Sequence, residues 1–164
     1  MYRFPVRHFP DHDRAVATHV VSGSAAGSAV ALRWYELYDP AGSVTVHQQG
    51  TFAPDSTDRW MASMAEDKNG DIAVGYSASS PTIYPSIRFT GRVPSDPAGT
   101  LESEASILMG STSQTNGPLW GTYTALQVDP GDDCTFWYSN QYVKNDGSNN
   151  WLTEIASFKF LQCQ

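Results

Sequence analysis

The fold is decided by residues 60–89, which read WMASMAEDKNGDIAVGYSASSPTIYPSIRF. Residues 67–70 of this stretch, Asp-Lys-Asn-Gly, predict a tight turn, because Asn and Gly tolerate the positive φ angles that reverse two strands. After the turn, Ile72, Val74 and Tyr76 alternate with smaller or polar residues, which is the period of two of a pleated strand. The stretch therefore predicts strand, turn, strand, loop and strand.

The composition favours an all-β protein. Charged residues make up only 16% of the 164 residues, Gly, Ser, Thr and aromatic residues are plentiful, and no useful helical period of apolar residues is present. The length suits one domain with a sizeable core. A net charge of -7 disfavours nucleic acid, whose phosphates would be repelled, and gives no basic patch for an anionic membrane surface. No apolar run approaches the ~20 residues of a membrane span.

The chain repeats its strand-rich unit three times. Similar segments recur at residues 31–34, 86–89 and 157–160, at a spacing of roughly 55–70 residues, which is in the range of β-propeller blades. We expect three antiparallel four-stranded propeller blades, the last incomplete, as half of a six-bladed propeller in one domain of residues 1–164. A flat sandwich or a jelly roll is the alternative. The three blades are expected at about residues 1–53, 54–110 and 111–164.

Strand positions follow from the same alternation and from the turn residues between strands. The predicted strands cover residues 2–9, 15–21, 29–38, 44–52, 60–66, 71–78, 84–92, 101–109 and 120–128, a strand that begins at 134–138, and 151–163.

The N-terminus, MYRFPVRHF, lacks the apolar core of a signal peptide and is typical of a strand from its second residue. We expect either an engineered or truncated start or a mature protein that begins on a strand.

The two cysteines, Cys134 and Cys163, predict a disulfide. In a hairpin centred on residues 144–150, Tyr142 pairs with about residue 151 or 152, so Cys134 falls opposite about residue 160. A small shift or bulge then brings Cys134 within disulfide reach of Cys163, with two unrelated buried thiols as the alternative. Such a bridge stabilises by about 3 kcal/mol and predicts a secreted or periplasmic location.

The repeats resemble the sialidase-like, or BNR-type, β-propellers. Their blades carry an aromatic residue on the first strand, a D-x-x-G turn and an aromatic-rich second strand. Trp60, residues 67–70 and Tyr76 match this pattern, as do Trp120 and Trp137 in the third repeat. The three-arginine clamp of sialidases would need Arg33, Arg88 and a third from another blade, and repeated packing or a ladder of surface charges is the alternative.

Nearly the whole chain also resembles the C-terminal part of large uncharacterised bacterial exported proteins. The likeness is clearest at residues 59–61, 84–88 and 132–138. In those proteins the segment at residues 120–123 typically reads W-G-D-Y, whereas here it reads W-G-T-Y. An Asp that could line a central pocket is therefore replaced by Thr122.

The propeller resemblance implies a binding role for the repeated aromatic residues. First strands face the channel of a propeller, and flat rings at a channel mouth suit stacking against sugars. We expect a non-catalytic module that binds a glycan or a protein partner there, although the tryptophans could instead be packing anchors. The ligand-binding candidates are Trp60, Tyr84, Trp120 and Tyr123.

Two other functions remain open. The first is a sialidase-like glycoside hydrolase with Asp58, Arg59 and Arg88 near its pocket, although the Asp box survives only as residues 56–60 and Thr122 replaces the pocket Asp. The second is a structural scaffold without a ligand. The sequence shows no zinc spacing, no nucleophile elbow and no phosphate loop.

No cofactor is predicted, but two acidic turns are weak candidates for calcium. The first holds Asp67, Asn69 and Asp71, although an EF-hand loop needs Gly at Ile72 and a distal Glu. A hairpin turn is the alternative for this segment, and a solvated turn is the alternative for the second. The second turn holds Asp129, Asp132 and Asp133.

Self-association is the expected partnership, because three blades are too few to close a ring and an open half exposes strand edges. Two chains could form a six-bladed ring, with residues 2–9 of one chain adding to residues 151–163 of the other. Alternatively, the chain is a piece of a longer one.

Overall fold

A computed structural model describes residues 4–23, 26–114, 121–143 and 151–164. In these ranges the protein is all-β, with eleven strands and no helix, so they contain no helix that could cross a membrane. The strands are β1 (Val6–His8), β2 (Asp13–Ser22), β3 (Val30–Tyr38), β4 (Thr45–Phe52), β5 (Asp58–Glu66), β6 (Ile72–Ser80), β7 (Ile83–Arg92), β8 (Ala105–Leu108), β9 (Ala125–Val128), β10 (Phe136–Val143) and β11 (Trp151–Phe158).

The strands form three antiparallel sheets from three consecutive parts of the chain. The first sheet has the order β1-β2-β3-β4 and the second β5-β6-β7-β8. The third has three strands in the order β11-β10-β9. The prediction of an all-β chain with an incomplete third sheet is confirmed at this level.

The second sheet lies between the other two. On one face of β6, Val74 and Tyr76 pack in a cluster with Trp34 of the first sheet. On the other face, Ala73 belongs to a cluster with Tyr138 of the third sheet. Both faces of β6 are therefore buried, and the alternation that predicted this strand separates two interior faces rather than core from solvent.

The predicted turn at residues 67–70 is confirmed. Gly70 has φ +84°, the left-handed region that favours glycine. The Asp67 side chain closes the turn, because its Oδ1 accepts hydrogen bonds from the backbone N–H of Asn69 at 2.8 Å and of Asp71 at 3.0 Å. Aspartate at the first position of a turn favours this arrangement.

Several strand predictions are too long. Those at residues 2–9, 120–128 and 151–163 reduce to β1, β9 and β11 among the described residues. The predicted strand at residues 101–109 reduces to β8, because the Glu102 N–H bonds outside the ladder to the Gly91 carbonyl at 2.7 Å. The strand expected from Cys134 begins only at Phe136, because Asp132 Oδ1 accepts the N–H of Cys134 at 3.0 Å and of Thr135 at 2.8 Å. A side chain that captures backbone donors in this way delays the start of a ladder.

The predicted disulfide between Cys134 and Cys163 is confirmed, with a Cα–Cα distance of 5.6 Å. The hairpin register is also as predicted, because Tyr142 pairs with Leu152. The structure differs in how the chain reaches Cys163. A turn after β11, closed by the Cys163 N–H bonding to the Phe160 carbonyl at 3.2 Å, takes the place of a bulge. A disulfide is compatible with an oxidising, secreted environment.

Candidate functional site

Trp60 and Tyr84, two of the predicted binding residues, line one cavity of about 560 Å³. The cavity lies where β5 begins and where β6 turns into β7. Its volume is in the usual range for small-molecule sites. The lining residues are Trp60, Ser79, Ser80, Pro81, Thr82, Ile83, Tyr84, Pro85, Ser113 and Gln114.

An irregularity in β5 sets the position of Trp60. The pairing of β5 with β6 shifts register between Trp60 and Ser63, and Met61 between them has φ +50°. A bulge of this kind bends a strand and re-aims its side chains. Trp60 consequently ends the regular ladder at the cavity wall.

Local hydrogen bonds hold the Tyr84 side of the cavity. The Ser86 hydroxyl donates to the Tyr84 carbonyl at 2.6 Å and accepts the N–H of Gly110 at 3.0 Å. On the turn from β6 to β7, the N–H of Thr82 donates to Ser80 Oγ at 3.2 Å. Tyr84 keeps 52% of its surface exposed, so its ring is accessible to a ligand.

The Trp60–Tyr84 cavity is polar but uncharged. Its lining consists of two aromatic rings, hydroxyl and amide side chains, two prolines and one isoleucine, with no Asp, Glu, Lys or Arg among the described residues. Hydroxyl and amide groups both donate and accept hydrogen bonds. The arrangement suits a neutral ligand that is rich in hydroxyl groups.

The other two predicted aromatic residues do not line this cavity in the described structure. Tyr123 is 72% exposed and belongs to the segment before β9. That segment contacts β5 next to Trp60, because the Thr124 hydroxyl donates to the Met61 carbonyl at 2.9 Å. Trp120 lies outside the described residues.

Arg59, a candidate for catalysis, is fully buried in an ion-pair network. Its Nε and Nη2 donate to the two carboxylate oxygens of Glu104, each at 2.9 Å. Its Nη1 donates to Asp55 at 3.0 Å and to the Thr57 carbonyl at 2.7 Å. Bidentate pairing of this kind is strong and specific, and it leaves the guanidinium occupied by partners within the protein.

Arg88 and Tyr76 also converge on Glu104. Arg88 donates to Oε1, and the Tyr76 hydroxyl donates to Oε2 at 2.7 Å. Burial alone would raise the pKa of Glu104, but the bonds from Arg59 and Tyr76 and the arginine charges hold it below its usual value. The bond from Arg59 likewise lowers the pKa of Asp55 to about 2.

Asp58 takes no part in the Glu104 network. Its Oδ1 accepts the backbone N–H groups of Ala29 at 2.7 Å and Val30 at 3.1 Å, which ties the second sheet to the start of β3. Of the three catalytic candidates, Arg59 and Arg88 therefore both bind Glu104, whereas Asp58 binds the backbone at the start of β3.

Arg33, a further member of the proposed clamp, binds on the first sheet to Thr51 at 3.1 Å and to Gln49. Arg33 and Arg88 therefore bind different partners, Arg33 on the first sheet and Arg88 at Glu104.

A larger cavity, of about 630 Å³, lies where the three sheets meet at β1, β2, β5 and β9. Its charged groups are already paired: Arg7 with Asp133 at 2.9 Å, and Arg14 with Glu66 at 3.3 Å. Burial, assisted by nearby Glu36, raises the pKa of Glu66 to about 7 against the opposing charge of Arg14. These arginines stabilise the protein's own carboxylates and are poorly placed to recognise a ligand.

Sequence reasoning did not predict that Glu36 and Glu66 are buried, and it missed the half-buried Glu104 altogether. Glu36 and Glu66 lie on strands with an alternation of apolar residues. A charged residue at an apolar position of that alternation could have indicated a buried acid. Glu104 precedes β8 outside any ladder, and its role depends on a partner 45 residues away. Nothing in the local sequence indicates that contact.

The two acidic turns differ in their surroundings. In the second turn the three carboxylates serve different partners: Asp129 accepts the Trp137 indole N–H at 2.9 Å, Asp132 caps β10, and Asp133 pairs with Arg7. In the first turn the carboxylates are buried. Among the described residues, no group of three or more His, Cys, Asp and Glu side chains is placed to hold a metal ion.

No protein-family model matches the chain, and no curated protein matches its sequence. Its function is therefore inferred from the chemistry of its side chains.

Proposed function

We propose that the protein is a non-catalytic, propeller-type module that binds an uncharged glycan in the Trp60–Tyr84 cavity. One observation carries the proposal: two aromatic residues far apart in sequence share a cavity whose other polar groups are hydroxyls and an amide.

The chemistry of the cavity matches that of a neutral sugar. Aromatic faces are apolar surfaces against which the C–H face of a pyranose can stack, and the hydroxyls of Ser80 and Thr82 and the amide of Gln114 can bond to sugar hydroxyls. A sugar carboxylate would lose its hydration here without a cation in the described lining to compensate. Neutral sugars are therefore favoured over sialic acid.

The site favours binding over hydrolysis. Glycoside cleavage commonly requires two carboxyl groups on opposite sides of the scissile bond, roughly 5 to 9 Å apart. The described lining contains no carboxyl group, and Arg59 and Arg88 are bound to Glu104. These contacts weigh against the alternative of a sialidase-like hydrolase.

A glycan array tests the proposal, with Tyr84→Ala as the binding-site variant and Tyr123→Ala as the matched control. We expect neutral glycans to bind the parent protein, binding to be lost in Tyr84→Ala, and binding to persist in Tyr123→Ala. Absence of binding across the array would contradict the proposal. A preference for sialylated glycans, or release of sugar, would favour the hydrolase.

The propeller arrangement and self-association belong to the same proposal. The third sheet has three strands, and on its face away from the second sheet Trp137, Trp151 and Ile155 are all exposed. Exposed aromatic and aliphatic residues on a sheet face favour an interface. We infer that this face packs against the first sheet of a second copy, so that two chains complete a ring.

Light scattering tests the inferred dimer. The parent protein is expected to have twice the mass of one chain at micromolar concentration, and Ile155→Glu is expected to be monomeric. A monomeric parent protein would contradict the dimer and leave the glycan proposal untouched.

A further inference from the structure

Two carboxylates in the first acidic turn are buried without a counter-ion. Asp67 and Asp71, at the two ends of residues 67–71, are completely inaccessible to solvent. Oδ2 of Asp67 and both carboxylate oxygens of Asp71 have no hydrogen-bond partner among the described residues. Three buried, unpaired carboxylate oxygens are costly unless something neutralises them.

The turn contacts the disulfide-bonded segment of the third sheet, which comprises residues 132–134 and 160–164 around the Cys134–Cys163 bridge. The backbone N–H of Lys68 donates to the Asp133 carbonyl at 3.1 Å, and the Asn69 amide donates to the Gln162 carbonyl at 3.3 Å. The Lys68 ammonium group also turns to this segment, donating to the Gln164 carbonyl at 2.8 Å. The Lys68 ammonium group, which follows Asp67 in sequence, is therefore occupied by backbone carbonyls.

The other groups that face the pair do not neutralise it. Burial raises the pKa of Asp67, and Arg7, whose charge opposes this effect, is ion-paired with Asp133. Glu102 adds a further negative charge near Asp71. Burial and the neighbouring Asp67 carboxylate raise the pKa of Asp71 to about 6 against the opposing effect of the Gln162 side chain. No donor among the described residues meets hydrogen-bond geometry with either carboxylate oxygen of Asp71.

We propose that Asp67 and Asp71 bind one divalent cation of the calcium type, which clamps the turn onto the disulfide-bonded segment. Calcium takes carboxylate and amide oxygens in flexible geometry and completes its shell with carbonyls and water. The two carboxylates would supply the charge and the Gln162 amide a neutral oxygen. With only two acidic ligands, the dissociation constant should be on the order of 10⁻⁴ to 10⁻³ M, as in extracellular modules.

Calcium titration of the whole chain tests this site, with melting temperature and terbium luminescence as readouts. At pH 7.5, 10 mM Ca²⁺ is expected to raise the melting temperature of the parent protein by about 3–10 °C relative to EDTA. Asp71→Asn should abolish the calcium-dependent shift and the terbium signal. The matched control is Asp39→Asn, because Asp39 is exposed and has φ +51°, a conformation that Asn tolerates.

Asp71→Asn is also expected to melt no lower than the parent protein in EDTA, because it removes one of two neighbouring buried charges. Two results would overturn the proposal. One is an equal calcium response in Asp71→Asn, which would mean adventitious binding elsewhere. The other is an unchanged melting temperature in calcium together with a rise as the pH falls through about 6 that Glu66→Gln retains and Asp71→Asn abolishes, which would show that the pair holds a proton. Neither result bears on glycan binding.

Discussion

The ring of Tyr138 lies directly against the backbone of Gly75, so that a Cβ atom on Gly75 would come within 2.6 Å of the ring. This contact joins β10 of the third sheet to β6 of the second. The Asn140 amide fixes the ring, since its Nδ2 donates to the Tyr138 hydroxyl at 2.9 Å and to Ser77 Oγ at 3.0 Å. The packing of these two sheets depends on the absence of a side chain at residue 75.

Gly75→Ala is therefore expected to destabilise the protein by about 1–3 kcal/mol, because one methyl group overpacks a close contact with an immobile ring. Chemical denaturation measures the loss. Gly42→Ala is the control, since a Cβ there meets only a carbonyl at 4.0 Å. Equal stability of the two variants would show that the sheets do not pack in this way.

Removal of the disulfide should lower the free energy of unfolding by about 3–4 kcal/mol, because the bridge closes a loop of 29 residues. The variant is Cys134→Ala with Cys163→Ala, and thermal melting measures the effect. Reduction of the parent protein should lower its melting temperature by a similar amount. If neither treatment has an effect, the bridge does not constrain the chain.

The hairpin and the disulfide could be predicted because both follow local rules. Pairing in an antiparallel hairpin keeps a constant sum of residue numbers, so a loop at residues 144–150 fixes the partner of Tyr142. That rule fails beyond the end of β11 at Phe158, where the chain turns before it reaches Cys163. The alternation of residues along β11 does not predict this turn.

Contacts between residues far apart in the chain could not be predicted in the same way. Arg59 and Glu104 are joined across 45 residues, and Glu104 lies outside any regular strand. The Asp-box remnant at residues 56–60 favours a pocket position for Arg59, whereas the structure buries this side chain in an ion-pair network. Trp60 and Tyr84 were predicted as binding residues from strand position and loop chemistry, and the structure places them in one cavity; their role in binding stays a prediction.

Glu104→Gln is expected to destabilise the protein by about 3–5 kcal/mol, because it leaves the buried Arg59 guanidinium without its bidentate partner. Urea denaturation measures this change. Arg88→Gln, on the partly exposed side of the network, should have a smaller effect, since Arg59 keeps both of its bonds to Glu104. The opposite order of the two variants would contradict the network described here.

The protein is expected to be more stable at pH 5 than at pH 8 in the presence of EDTA. Burial raises the pKa of Glu66 to about 7, so the folded state binds a proton more tightly than the unfolded state does. Stability is therefore lost as the pH rises from about 4.5 through 7, by about 2–3 kcal/mol. Asp71, with a pKa raised to about 6, acts in the same direction.

Glu66→Gln tests the assignment of this pH dependence, because glutamine does not titrate and should remove most of the difference between pH 5 and pH 8. If Glu66→Gln keeps the full difference in stability between pH 5 and pH 8, other groups are responsible for it. Below about pH 4 the trend should reverse, since Asp55 has a folded-state pKa lowered to about 2 and loses its bond with Arg59 when protonated.

The central claim, that a neutral glycan binds between Trp60 and Tyr84, is tested most directly by ¹H–¹⁵N NMR titration with a glycan that binds the parent protein. We predict the largest shift changes in the indole N–H of Trp60 and in the backbone of residues 79–86 and 113–114, and their loss in Tyr84→Ala. Shift changes that cluster at the larger cavity around Arg7 and Arg14, and that persist in Tyr84→Ala, would contradict the claim.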